Sequence, residues 1–175
     1  MTKFTNINQK LKKYLKEIVL FIIIMTVAAN VISFYNSMDL NKQKLQEMNV
    51  TLLDKTNYTH PKDKPILIHF WATWCPTCKI EASNIQSISQ KYEVLSIAVN
   101  SGDDKKIKEY MSKNSFDFKV YNDESGFFAK EFNIAAYPTT FIYDKDKNLI
   151  FSEVGFTSTL GLYFRMWIAE SFFNS

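Results

Sequence analysis

The chain has 175 residues, 46% hydrophobic and 22% charged, which suits one ordinary folded domain with an appendage and excludes two large domains or a disordered chain. Its two cysteines and two histidines exclude a disulfide-rich scaffold, and a closed zinc site of Cys and His ligands would need all four. Five lysines and one glutamate make residues 1–17 basic, whereas 16 basic side chains face 17 acidic ones from residue 37 onward, so no nucleic-acid partner is expected.

The first predicted element is a transmembrane helix at residues 18–35, preceded by a basic tail at residues 1–17. The segment has no charged side chain, and at ~1.5 Å per residue it covers roughly 27 Å, close to the hydrocarbon thickness of a bilayer. The preceding lysines place the tail in the cytoplasm and the rest of the chain outside. A signal peptide cleaved near residues 27–29 and a buried helix of a soluble protein are the alternatives. An uncleaved anchor is favoured because apolar residues resume at 31–34.

Residues 36–50 are polar with sparse apolar positions, so a stalk is expected there and a globular domain from about Thr51. The domain is expected to alternate strands and helices. In chain order, the predictions are a buried strand at 65–71, a helix at 76–91, a strand at 94–99, a polar helix opened by Asp103 and Asp104, a short strand at 116–121, a helix at 124–132, a hairpin of strands 140–143 and 149–154, and a helix at 158–173. This order predicts an α/β fold with a mixed sheet covered on both faces.

The chemistry is expected at Trp74–Cys78, where the first buried strand gives way to a helix. Pro76 suits the first helical turn, because its missing N–H would have no partner there. Cys75 then lies at the helix N-terminus, where free N–H groups and the helix dipole favour a thiolate. Cys78 lies three residues further on the same helical face, near enough to close a small disulfide. Cys75 is therefore the expected attacking thiol and Cys78 the resolving thiol.

A C-x-x-C pair can serve purposes other than redox chemistry. The pair could be half of a four-ligand zinc site, but the chain has no second cysteine pair, and His60 and His69 are poorly placed to complete the site. Haem attachment needs a histidine directly after the second cysteine, and this chain has Lys79 there. A static structural disulfide is the remaining alternative. No metal, nucleotide or flavin motif is visible, so no cofactor is expected.

Residues 70–78, Phe-Trp-Ala-Thr-Trp-Cys-Pro-Thr-Cys, resemble the active-site segment of the thioredoxin superfamily, most closely its membrane-anchored TlpA/ResA-type disulfide oxidoreductases. Residues 137–141, Tyr-Pro-Thr-Thr-Phe, resemble the cis-proline loop that faces the cysteines in that fold. The tail from Gly155 to Ala169 resembles anchored oxidoreductases related to the copper-sensitivity suppressor ScsD. The resemblance covers about residues 51–175 and implies a thioredoxin-like mixed sheet flanked by helices.

The resemblance also implies roles for individual residues. Pro138 would form a cis peptide bond, leaving the backbone groups of Tyr137 to pair with a substrate strand. Glu81 matches a glutamate that TlpA/ResA-type proteins keep beside the active site, where it would accept the proton of Cys78. A solvated helix glutamate is the alternative for Glu81. Trp74 is expected at the rim of the active site.

Three positions depart from the pattern of the family. His69 stands where thioredoxins place a buried aspartate and TlpA-type proteins commonly have asparagine. A histidine there either shuttles protons or is a hydrogen-bonded core imidazole. Pro76 and Thr77 replace the glycine and proline that thioredoxin has between its cysteines, and such changes shift the reduction potential. They leave the direction of electron flow open.

The resulting hypothesis is a single-pass protein of the bacterial inner membrane with its catalytic domain on the periplasmic side. It would exchange disulfides with protein thiols or disulfides and with a redox donor or acceptor protein. One alternative is a dedicated thiol reductant of cytochrome c maturation, although such proteins usually carry an acidic residue after the cis-proline, where this chain has Thr139. The other alternative is a non-catalytic binding module.

Overall fold

The computed structural model describes residues 2–171, and the chain divides into one compact unit that ends at Asn36 and a second that begins at Ser37. The first unit is a single helix, α1 (Thr2–Asn36). Its part from Lys12 to Asn36 is long and apolar enough to cross a membrane. The polar Asn30 is accommodated inside the helix, because its Nδ2 donates to the Thr26 carbonyl at 2.7 Å.

The second unit contains seven strands and four helices among the described residues. They are β1 (Asn49–Thr51), β2 (Asn57–Thr59), β3 (Ile66–Trp71), α2 (Pro76–Ser89), β4 (Glu93–Val99), α3 (Asp104–Lys113), β5 (Val120–Asp123), α4 (Phe127–Glu131), β6 (Thr139–Tyr143), β7 (Leu149–Val154) and α5 (Thr159–Ser171). β1 and β2 form an antiparallel pair, and the other five strands form one sheet in the order β5-β4-β3-β6-β7. β3 is parallel to β4 and antiparallel to β6, so the predicted mixed sheet is confirmed.

The central strand β3 is buried along its whole length because both faces of the sheet are covered. Leu67 and Trp71 point into a core shared with α2 and α5, which also contains both cysteines. Ile66, Ile68 and Phe70 point into the opposite core, shared with α4 and the start of the unit. The alternation along β3 therefore decides which side chains lie beneath the redox helix.

The segment at residues 36–50 differs from the stalk expected there, because it packs onto the domain. Leu40, Leu45 and Met48 are buried in the core that contains α4. The Asn41 N–H donates to the Phe132 carbonyl at 3.2 Å, and the Leu45 N–H donates to the Lys147 carbonyl at 2.9 Å. The apolar residues are too irregularly spaced to match a helix or strand period, so the sequence pattern did not indicate their burial. The β1–β2 pair was also not predicted.

Two other elements are displaced from their predicted positions. The strand expected at 116–121 forms at Val120–Asp123, since Phe116 and Phe118 instead pack against each other with ring centroids 5.6 Å apart. The helix expected at 124–132 shortens to α4 because Gly126 adopts a positive φ of 71° directly before it. The end of the helix expected at 158–173 lies outside the described residues.

Candidate active site

The two cysteines lie where β3 turns into α2. The Cys75 N–H donates to the Ala72 carbonyl at 3.1 Å, which closes the turn after the strand. Cys75 is the N-cap of α2 with extended backbone angles, φ −80° and ψ 118°, and Pro76 is the first helical residue. Cys75 and Cys78 form a disulfide with a Cα–Cα distance of 5.3 Å. The predicted placement of the pair at the tip of a helix is confirmed.

The surroundings of the two sulfur atoms are unequal. The Cys78 N–H donates to Cys75 Sγ at 3.2 Å. This N–H and the positive end of the α2 dipole both lie at Cys75, at the start of the helix. Cys75 is 5% exposed and Cys78 only 1% exposed, so Cys75 is the more accessible residue of the pair.

The loop before β6 faces the cysteine pair. The Tyr137–Pro138 peptide bond is cis, as the resemblance implied. The Tyr137 carbonyl oxygen lies 3.6 Å from Cys75 Sγ. The Tyr137 ring packs edge-on against Trp74, with ring centroids 5.7 Å apart. Trp74 is 57% exposed and donates its Nε1–H to the Asn100 carbonyl, so it forms the rim that was predicted.

Glu81 is fully buried on the face of α2 that packs into the domain. Its Oε1 accepts the Thr157 N–H at 3.1 Å, and its Oε2 has no hydrogen-bond partner among residues 2–171. Burial raises the pKa of this carboxyl to about 8, against a lowering influence of the Thr157 N–H. The alternative of a solvated helix glutamate is therefore wrong, because the side chain is removed from water.

His69 lies on β3, and its side chain is buried on the same face of the sheet as Leu67 and Trp71. Its Nδ1 is 2.9 Å from the Thr140 hydroxyl, on the strand paired with it. Burial lowers the pKa of the imidazole to about 3, so the ring stays neutral at physiological pH. These features favour the core imidazole over the proton shuttle.

Several residues around the site were not singled out from the sequence. Asn84 on α2 donates to the carbonyl of Thr157, the residue between β7 and α5 whose N–H binds Glu81. The Gly155 N–H donates to the Pro138 carbonyl at 2.8 Å. Glycine is favoured at 155, because the φ of +99° there would strain the backbone of any other residue. Within the described part of the chain, no three His, Cys, Asp or Glu side chains converge in a way that would hold a metal ion.

Comparison with known proteins identifies the family to which the chain is related. Residues 40–160 match the family model described as Redoxin. A thioredoxin-like protein of Haemophilus influenzae is 32% identical over 170 residues, covering 93% of this chain and 99% of the relative. The thiol-disulfide oxidoreductase ResA of Bacillus thuringiensis is 28% identical over 93 residues, 51% of this chain and 54% of that protein.

A solved structure extends the likeness to the fold. StoA from Bacillus subtilis superposes with a TM-score of 0.63 at 20% identity, covering 69% of this chain and 96% of its own. At 20% identity, this similarity shows a shared fold and nothing more. With the match over residues 40–160 and the cysteine pair at the start of α2, the chain belongs to the redoxin family and is a TlpA/ResA-type member of the thioredoxin superfamily.

Proposed function

We propose that the protein is a thiol–disulfide oxidoreductase in which Cys75 and Cys78 exchange a disulfide with protein partners. In the reducing direction, the Cys75 thiolate attacks a partner disulfide, and a mixed disulfide forms while the partner's other sulfur leaves as a thiolate. Cys78 then loses its proton and attacks Cys75 Sγ. The mixed disulfide breaks, the partner leaves as its second thiolate, and two electrons have passed from this protein to the partner. The oxidising direction is the reverse sequence.

Glu81 is the group that takes the proton of Cys78 in this scheme. A thiol as buried as Cys78 is a poor nucleophile until it is deprotonated, so the second step needs a base within the protein. The two residues are one turn apart on α2, and the pKa of Glu81, raised by burial to about 8, lets the carboxyl both accept and release a proton near neutrality. His69, whose pKa is lowered to about 3, is a structural residue.

The partner is held at the loop before β6. Tyr137 lies outside the sheet, its carbonyl is beside Cys75 Sγ, and its N–H donates no hydrogen bond within the described residues. An extended segment of the partner can pair with these two groups while its own sulfur lies over Cys75. The exposed ring of Trp74 borders this position and adds apolar contact.

The protein acts at the outer face of a bacterial inner membrane, held by α1 as a single-pass anchor. The apolar part of α1 has the length of a membrane span, and the lysines of residues 1–17 lie on one side of it. Protein disulfides form and persist mainly in compartments outside the cytoplasm, which supports an extracytoplasmic position for the domain. Protease protection of residues 37–171 in sealed spheroplasts would contradict this orientation.

The observation that carries the proposal is the disulfide at the N-terminus of α2, with Cys75 as the N-cap and the more exposed residue of the pair. Cys75→Ala in the full-length protein should abolish exchange with an oxidised protein substrate. Cys78→Ser should accumulate a covalent mixed disulfide that dithiothreitol releases. Full activity of Cys75→Ala would reject the mechanism.

The trapped partners of Cys78→Ser also test the role in cytochrome c maturation. Thr139, which follows Pro138 in place of an acidic residue, is buried and donates its hydroxyl to the Ala136 carbonyl at 2.8 Å. Its side chain therefore faces its own loop and carries no charge toward a client. We expect several unrelated partners in the trap, and apocytochrome alone would favour the dedicated reductant.

A further inference from the structure

Asn84 ties the loop between β7 and α5 to the redox helix. Its Nδ2 donates to the Thr157 carbonyl at 2.9 Å, and its Oδ1 accepts from the Thr159 hydroxyl at 2.8 Å. The orientation of the amide follows from its partners, because a carbonyl needs a donor and the hydroxyl here acts as one. Both ends of the Asn84 amide are therefore used to hold this loop.

The same loop supplies the hydrogen bond to Glu81. Glu81 and Asn84 are three residues apart and lie on one face of α2. Glu81 accepts the N–H of Thr157, and Asn84 binds the carbonyl of that same residue. Thr157 is buried, and Glu81 has no second hydrogen-bond donor within residues 2–171. The position of the Thr157 N–H, and with it the support of the carboxylate, depends on the Asn84 amide.

We propose that Asn84 is a positioning residue for disulfide exchange, which keeps the Thr157 N–H on Glu81 and so sustains the carboxylate that takes up the proton of Cys78. This inference rests on the proposed function. In the step concerned, the S–H proton of Cys78 moves to a Glu81 oxygen, and the resulting thiolate forms the bond to Cys75 Sγ. The bond from Cys75 to the partner breaks, and the electron pair leaves with the partner's thiolate.

The expected direction follows from which form of Glu81 the hydrogen bond favours. A donated N–H stabilises the charged carboxylate, so its loss leaves burial unopposed and raises the pKa of Glu81 further above about 8. Titratable groups on neighbouring elements include the neutral His69 of β3, Tyr163 of α5, and Arg165 of α5, which pairs with Glu153 of β7 at 2.9 Å. The pKa of Glu81 is thus set by burial and by the Thr157 N–H, and a substitution at Asn84 would change the second of these.

The test is a titration of Glu81 in the full-length oxidised protein in lipid nanodiscs. The carboxyl signal is followed by NMR with ¹³C-labelled glutamate and identified by its loss in Glu81→Gln. Asn84→Leu, which keeps the volume and removes both hydrogen bonds, should move the titration midpoint upward by about one pH unit. Thr159→Val, which removes only the hydroxyl that orients Asn84, should give a smaller upward shift.

Ser83→Ala on the same helix is the matched control, because the Ser83 side chain is exposed, and it should leave the midpoint unchanged. Under single-turnover conditions, Asn84→Leu should also slow resolution of the mixed disulfide about tenfold at pH 7, and this loss should vanish in a Glu81→Gln background. If Asn84 had a merely structural role, Asn84→Leu and Thr159→Val would lower the melting temperature without moving the titration midpoint of Glu81.

An unchanged or lowered Glu81 midpoint in both Asn84→Leu and Thr159→Val would overturn the inference. The titration is measured on the oxidised protein and needs no exchange activity. A negative result would therefore contradict the inference about Asn84 without contradicting the proposed function. Activity that survives Cys75→Ala would instead reject the proposed function and leave the titration result standing.

Discussion

Glu81 on the α2 helix and His69 on the β3 strand are both buried in the same core layer, and burial acts on the two groups in opposite directions. Glu81 on α2 has its pKa raised to about 8, and His69 on β3 has its pKa lowered to about 3. Both groups are therefore neutral in the folded protein at mildly acidic pH. Of the two groups, only Glu81 has a pKa close to neutrality, which supports the proposal that it, and not His69, takes up a proton during exchange.

The largest expected difference between Glu81 and His69 is in the rate at which Cys78 resolves the mixed disulfide. Glu81→Gln removes the base and should slow the attack of Cys78 on the mixed disulfide about 10²-fold or more near pH 8. The rate with Glu81 present should rise with pH up to about 8, as the carboxyl ionises. Single-turnover quench experiments across pH measure both effects. His69→Asn, the matched change on β3, should alter this rate by less than about threefold, and an equal loss in both variants would break the comparison.

The stability of the domain should also depend on pH through Glu81. The folded state keeps a proton that the unfolded state releases between about pH 4.5 and pH 8, so the free energy of unfolding should fall as pH rises through that window. The expected change is on the order of a few kcal/mol. Chemical denaturation of the full-length protein at several pH values measures it. Glu81→Gln should flatten the curve, and a curve that stays as steep would contradict the assignment.

His69 should act at the acid end with the opposite sign. The folded state keeps the imidazole neutral while the unfolded state takes up a proton below about pH 6.5, so the free energy of unfolding should fall as pH drops toward 3. His69→Asn should reduce this acid loss, because asparagine can still meet the Thr140 hydroxyl and does not titrate. The same denaturation series applies, with the slope as the measured quantity. Together the two groups place maximal stability between about pH 5 and 6.

The smallest expected effect concerns Arg165, on the side of α5 that pairs with β7. Its Nε and Nη2 meet Glu153 Oε1 at 3.0 and 2.9 Å, in a half-buried pair. Arg165→Lys loses the double donation and should lower the free energy of unfolding by about 1 kcal/mol, measured by denaturation. The pH dependence due to Glu81 should be unchanged, and a shift there would mean that α5 charges reach the active site.

Local patterns predicted much of the fold and the position of the cysteines. β3, α2, β4, α3 and the β6–β7 hairpin lie close to their predicted bounds, because each has a strong hydrophobic period or a clear cap. The start of the domain was not predicted, since Leu40, Leu45 and Met48 are buried in a core that they share with Phe132 and Tyr143 from far along the chain. No periodic signal in residues 36–50 marks such long-range burial.

Local sequence was enough to predict the position of the cysteine pair, because a strand, an N-cap cysteine, a proline at the first helical position and a second cysteine one turn later are all local features. The groups that surround this pair, and their protonation, depend on long-range contacts of the folded domain. Glu81 receives its hydrogen bond from Thr157, 76 residues away, and His69 loses its charge because helices cover both faces of the sheet. Proton affinity depends on exclusion of water and on distant donors, which no short stretch of sequence contains.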